Sequence, residues 1–91
     1  MKQSFAQVCC NLISNIFSKN NIQHKSKNNR IFVRSANKKM LIDFNDMTLT
    51  FDDEENPRFR MKKFAKVTYN NMMEMRRRYE NKLTELAKYV L

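Results

Sequence analysis

Met40-Leu41-Ile42-Asp43-Phe44-Asn45-Asp46-Met47-Thr48-Leu49-Thr50-Phe51 is the stretch on which the fold turns. Met40, Ile42 and Phe44 alternate with Leu41 and Asp43, and Met47, Leu49 and Phe51 alternate with Thr48 and Thr50. Successive side chains of a strand point to opposite faces, so both runs predict strands with one apolar face. Asn45-Asp46 between them are residue types that tolerate positive φ, and they predict a two-residue hairpin connection. Upstream, Ile31-Phe32-Val33 is β-branched and aromatic and predicts another strand, with Ser35-Ala36-Asn37 as the turn into the next. The result is a three-stranded antiparallel meander whose apolar face needs a helical cover.

Helical patterns flank the meander. Ser4-Phe5-Ala6-Gln7 fits a capping box, and Phe5, Cys9, Leu12, Ile13, Ile16 and Phe17 follow on one helical face. This helix should stop near Lys19-Asn20-Asn21. Residues 20–30 are polar apart from Ile22 and read as a basic connecting loop. Residues 52–56 read as an acidic loop that leads into Asn56-Pro57, an N-cap followed by the proline suited to a first helical position. From there Met61, Phe64, Ala65, Thr68, Met72, Met75, Tyr79, Leu83, Leu86 and Val90 form one apolar stripe. An unbroken helix over 58–88 would be about 46 Å long, against roughly 30 Å for a globule of this size. A break near residue 70 is therefore expected, or a far end that packs on something else. The fold class is α+β in the order α-β-β-β-α, one small domain over residues 1–91. Ile13, Phe17, Ile42, Leu49, Phe51, Phe64 and Met72 are its expected core.

The chain has 91 residues, no Gly and one Pro. A Gly-free chain cannot build a glycine-dependent phosphate loop, dinucleotide fingerprint or nucleophile elbow. Cys9 and Cys10 are adjacent, with Cα atoms about 3.8 Å apart, so a bridge between them would be strained and they read as reduced thiols. His24 is the sole histidine, no CxxC or HxxxH spacing exists, and Asp52-Asp53-Glu54-Glu55 lacks the alternation of a calcium loop. No metal, no cofactor and no enzymatic activity are expected, and His24 reads as a solvated loop residue. No apolar run reaches a membrane span, and polar Gln3, Gln7 and Asn11 interrupt any leader core, so a cytoplasmic protein without membrane contact is expected.

Charge carries the functional signal. The formal net charge is +9, and it is segregated: residues 1–42 hold eight basic and no acidic residues, 43–55 six acidic and no basic, 56–91 ten basic against three acidic. Four basic clusters follow: Lys25, Lys27, Arg30 and Arg34; Lys38-Lys39 at a hairpin tip; Arg58, Arg60, Lys62, Lys63 and Lys66 at the start of the long helix; and Arg76-Arg77-Arg78. Cations that neutralise phosphates release condensed counterions, so these residues are the candidate nucleic-acid contacts.

The element order is also that of the double-stranded-RNA-binding domain, and Lys62-Lys63-Phe64-Ala65-Lys66 is similar to that family's K-K-x-A-K stretch. The resemblance implies phosphate contacts from those lysines. The family's glycines and its loop histidine have no counterpart here, and its Ala-rich continuation is replaced by Val67-Thr68-Tyr69-Asn70.

A second function class rests on the long helix. Tyr79, Leu83, Leu86 and Val90 extend beyond what a short meander covers, and Met73 lies outside the stripe beside Arg77 as an apolar patch; together they are the expected interface with a protein partner or, most simply, with a second copy in a homodimer. Twelve Asn and eleven Lys are the usage of an AT-rich genome, compatible with a phage or mobile-element product. The leading expectation is a small basic module that engages nucleic acid or a ribonucleoprotein. The alternative is a phage-type inhibitor or adaptor that blocks a host protein or ribonucleoprotein by protein contact.

Overall fold

The computed structural model describes residues 4–53, 61–63 and 72–91, with side chains for 4–52, 76–77 and 79–91. Helix α1 (Phe5–Lys19) starts at the expected cap, where the Gln7 N–H donates to the Ser4 hydroxyl at 3.1 Å. Its far end is closed by asparagines. Asn21 stands at φ 58°, the Ile22 N–H donates to the Phe17 carbonyl at 2.9 Å, and the Asn21 N–H donates to the Ser18 carbonyl at 3.2 Å. These are the two reverse bonds of a Schellman closure, and its customary apolar contact is present because Ile22 and Phe17 are both buried in the core. Asn serves where glycine is usual, since its short amide tolerates the left-handed region.

Among the described residues the sheet has five antiparallel strands in sequence order: β1 (Lys25–Lys27), β2 (Arg30–Arg34), β3 (Lys38–Asp43), β4 (Thr48–Asp53) and β5 (Met61–Lys63). The three expected strands form its centre, and a short strand is added at each edge. β1 lies inside the stretch expected to be a loop. Asn28 and Asn29, at φ 52° and 62°, make a two-residue turn of the mirror-image kind that fits strand twist, and it folds Lys25–Lys27 back onto β2. β5 replaces part of the expected helix. Pairing Met61–Lys63 with β4 satisfies backbone groups that β4 would otherwise present at an open edge. Asp52 and Asp53, expected in the acidic loop, belong to β4 and lie opposite Lys39 and Lys38.

The β3–β4 connection is also longer than expected. Residues 44–47 form it, and the positive φ falls at Met47 (55°) rather than at Asn45 or Asp46. Asn45 and Asp46 act through side chains instead. The Asn45 N–H donates to Asp43 Oδ1 at 2.9 Å, and the Thr48 hydroxyl donates to Asp46 Oδ1 at 2.6 Å. Asn45 also reaches the β1–β2 turn: its Nδ2 donates to the Asn28 carbonyl at 3.0 Å, and its Oδ1 accepts from Asn29 Nδ2 at 3.1 Å.

Helix α2 is Met72–Val90, and the break expected near residue 70 lies outside the described residues. The helix start at Asn56-Pro57 lies outside the described residues. Both helices cover one face of the sheet. Cys9, Ile13 and Phe17 from α1, Ile31, Val33, Met40, Ile42, Leu49 and Phe51 from the sheet, and Leu83, Ala87 and Val90 from α2 form one buried cluster, joined by Phe44. Five expected core residues, Ile13, Phe17, Ile42, Leu49 and Phe51, are all buried, while the side chains of Phe64 and Met72 lie outside the described residues. Leu83 and Val90, expected to meet a partner, are instead buried within the chain's own core, and Tyr79 and Leu86 pack half-buried against it. The reason is packing: the C-terminal turns of α2 lie against α1, β2 and β3, so their apolar side chains meet the chain's own core. At its end Tyr89 stacks on Phe51 with ring centroids 5.8 Å apart, and Lys38 Nζ sits 4.0 Å from the Tyr89 centroid.

Two outcomes test this architecture. Leu83→Ala should cost about 2–5 kcal/mol in denaturant unfolding, and the loss should not depend on protein concentration, as it would for a dimer contact. Asn21→Ala should cost about 1 kcal/mol while Asn21→Gly keeps or raises stability; equal melting temperatures for the two variants would exclude the left-handed closure.

Candidate nucleic-acid interface

The face of the sheet away from the core is built by the same alternation that builds the core. Residues directly opposite on antiparallel strands point to the same side. One transverse row therefore runs Lys25, Phe32, Leu41, Thr50, with Met61 at the β5 register position. Beside it runs Arg34, Lys39, Asp52, and on the other side Lys27, Arg30, Asp43, Thr48, with Lys63 at the β5 position. Ile31 and Val33 point inward, so Phe32 stands outward between Arg30 and Arg34 and is 41% exposed. Lys25, Lys27, Arg34 and Lys39 are exposed and make no ion pair with a described residue.

Grooves lie on both sides of the Phe32 ring. One, of about 560 Å³, is lined by Gln23, His24, Lys25, Phe32 and Arg34. The other, of about 320 Å³, lies over Phe32, Arg34, Lys39, Leu41, Thr50 and Asp52. Both fall within the size range of ligand sites.

Arg30 plays a different part from its neighbours. Its Nε donates to Asp43 Oδ2 at 2.9 Å, across the β2–β3 pair. Burial pushes the Asp43 carboxyl up, but the Arg30 side chain and the Asn45 N–H more than offset this and hold it below the usual carboxylate range. This pair stiffens the face more than it offers a free cation.

The remaining predicted contacts are dispersed. Lys38 and Lys39, read together at a hairpin tip, point to opposite sides, Lys38 toward Tyr89 and Lys39 onto the open face. Arg76 and Arg77 are exposed on α2, Arg76 with its Nε 3.2 Å from Glu80 Oε2, so that cluster belongs to the helical side. Lys62 and Lys63 lie on β5 and not on a helix, which removes the helical setting of the K-K-x-A-K likeness. Arg58, Arg60 and Lys66, and the side chains of Met73 and Arg78, lie outside the described residues. Phe32, Leu41 and Gln23 were not among the predicted contacts. Arg30-Ile31-Phe32-Val33-Arg34 does contain the signal, since a strand with Ile31 and Val33 inward must put Phe32 outward between two arginines.

His24 is half-buried rather than solvated. Its Nε2 lies 2.7 Å from the Ser14 hydroxyl, its Nδ1 lies 2.8 Å from the Ile22 carbonyl, and its ring meets Phe17 edge-on with centroids 5.5 Å apart. The carbonyl can only accept, so Nδ1 carries the proton and, in the neutral ring, Nε2 accepts from Ser14. A serine hydroxyl bonded to an imidazole is the first element of nucleophilic catalysis. Ser14, however, lines neither groove, and the pair ties the loop after α1 to the helix. No group of three His, Cys, Asp or Glu side chains that could hold a metal occurs among the described residues, and no described helix is long and apolar enough to cross a membrane.

Cys9 and Cys10 are buried on α1, and Cys10 Sγ lies 3.4 Å from the Ser26 hydroxyl of β1. Burial, and then the neighbouring Cys10, push the Cys9 thiol up from 9.0 to about 11. A thiol held in its neutral form is a poor nucleophile, so Cys9 is a packing residue. No family model, curated protein or solved structure matches the chain.

The Cys9 shift sets an alkaline limit to stability. The folded state binds this proton more tightly than the unfolded one, so the contribution is complete below pH 9.0 and is lost as pH rises toward 11. The loss should be about 2–3 kcal/mol. Denaturant unfolding of wild type and Cys9→Ala at pH 8 and about pH 11 checks it, and the variant should show the shallower decline.

Proposed function

We propose that this chain is a small nucleic-acid-binding module whose contact surface is the open face of the sheet. The observation that supports the reading is the register that gathers Lys25, Arg34 and Lys39 around an outward Phe32 on the side neither described helix covers. Among the described side chains, five basic ones (Lys25, Lys27, Arg30, Arg34, Lys39) share that face with two carboxylates (Asp43, Asp52), and one of those carboxylates is already paired with Arg30. The balance favours a polyanion, and Lys25, Arg34 and Lys39 beside the ring make no ion pair with a described residue. Phosphate contacts of this kind position a ligand without reading its bases, so weak sequence preference is expected.

The test is a salt titration of binding to generic DNA and RNA. Each phosphate neutralised steepens the slope of log K against log[salt] by about 0.9 on duplex DNA and about 0.7 on single strands. Lys25→Ala, Arg34→Ala and Lys39→Ala combined should flatten the slope by roughly 2–3 units and weaken all sequences alike. Wild-type protein that retards neither DNA nor RNA at about 50 mM salt would end this reading. The open face would then be assigned to a protein partner, as an inhibitor or adaptor requires.

A further inference from the structure

We infer that the open face takes a single strand of nucleic acid, with one base stacked on Phe32 and the adjoining phosphates held by Lys25, Arg34 and Lys39. The inference rests on the nucleic-acid reading above and narrows it to a ligand class. Its starting point is the position of the ring. Phe32 is at the centre of β2, with Arg30 and Arg34 about 6.6–6.8 Å away along the strand on the same side. Lys25 and Leu41 stand opposite it on the neighbouring strands, at roughly 4.5–5.5 Å between Cβ atoms. A lone exposed Phe is ordinary on a protein surface. A ring with a groove on each shoulder and, along both grooves, cations that make no ion pair with a described residue is a different arrangement, because it offers a π-face and phosphate contacts within one nucleotide's reach.

The ring chooses between strand forms. Inside a duplex both faces of every base are covered by neighbouring bases, so an aromatic side chain on a sheet has nothing to stack on except at an end. An unpaired strand can splay a base onto the ring and lay its neighbours into the two grooves. Duplex recognition needs an element that enters a groove or spans two of them. The apolar sides of α1 and α2 face the core, and the surface beside Phe32 is a sheet. The groove polarity agrees with a strand lying across it. Gln23 on one side and Thr50 on the other offer donors and acceptors to base edges, while Arg34 borders both grooves where the backbone must pass. Asp52 repels phosphate and can accept from an exocyclic amine, which places a base rather than a phosphate at the β4 end.

The experiment is a fluorescence-anisotropy titration of the full chain at about 50 mM salt. The probes are a labelled mixed-sequence strand of about 12 nucleotides and the blunt duplex of the same sequence. Wild type should bind the single strand more tightly. Phe32→Leu keeps apolar volume but removes the π-face, and it should weaken single-strand binding by about 5- to 150-fold. The same variant should leave duplex binding and melting temperature unchanged. A 2-aminopurine in the strand should be quenched by wild type and not by Phe32→Leu. Equal affinity for strand and duplex, or a Phe32→Leu variant that binds the strand as wild type does, would overturn the inference while leaving the nucleic-acid reading standing. Binding to neither probe would overturn both.

Discussion

One-sided burial of the sheet is the constraint from which the other features of this protein follow. Ile31, Val33, Met40, Ile42, Leu49 and Phe51 all point to the side occupied by α1 and α2. With a period of two, every residue between them must point the other way. The two helices bury their stripes against each other and against this one face, so the outward residues Phe32, Leu41 and Thr50 keep no helical cover from the described chain. The core and the candidate interface are thus the two sides of one pattern. Burial of the first determines the composition of the second.

Register holds that pattern in place. A slip of one residue in β2 would send Phe32, Arg30 and Arg34 toward the core, at the cost of burying two guanidinium groups. Turns protect against it. In a Gly-free chain three of the four positive-φ positions among the described residues are Asn21, Asn28 and Asn29, and the fourth is Met47. The Asn45 side chain bonds both residues of the β1–β2 turn, so the two hairpins at that end of the sheet set each other's position. Arg30 and Asp43 add a charge-assisted bond between β2 and β3 on the open face. Met47 has no amide to ease its backbone, and its half-buried side chain packs against the core.

Charge alone would have spread a binding surface over the whole molecule. The fold sorts the cations instead. Lys38 and Lys39 are neighbours in sequence and end on opposite sides of the sheet, one over Tyr89 and one beside Phe32. Arg76 is taken up by Glu80 on α2, and Arg30 by Asp43. Lys25, Arg34 and Lys39, drawn from three strands, are the cations that pairing brings to the lining of the two grooves.

The central elements were legible in the sequence because their signals are local. Ser4 and Gln7 mark the start of α1, and the alternation in Ile31–Val33, Met40–Phe44 and Met47–Phe51 marks three strands whose inward residues are buried. The edges of the sheet were not legible. Lys25-Ser26-Lys27 has no β-branched or aromatic residue, and it becomes a strand because Asn28-Asn29 turns it onto a partner. Met61 fits a helical stripe and an alternating strand equally, and only the open edge of β4 decides for the strand. The same holds for Leu83 and Val90, whose stripe says that they are buried but not against what. His24 and Ser14 are ten residues apart and meet only through the closure of α1. Periodicity within a segment states which side of that segment is apolar. Which segments pair, and so which charged residues share a surface, is decided by backbone hydrogen bonds and packing between parts of the chain that no local pattern connects.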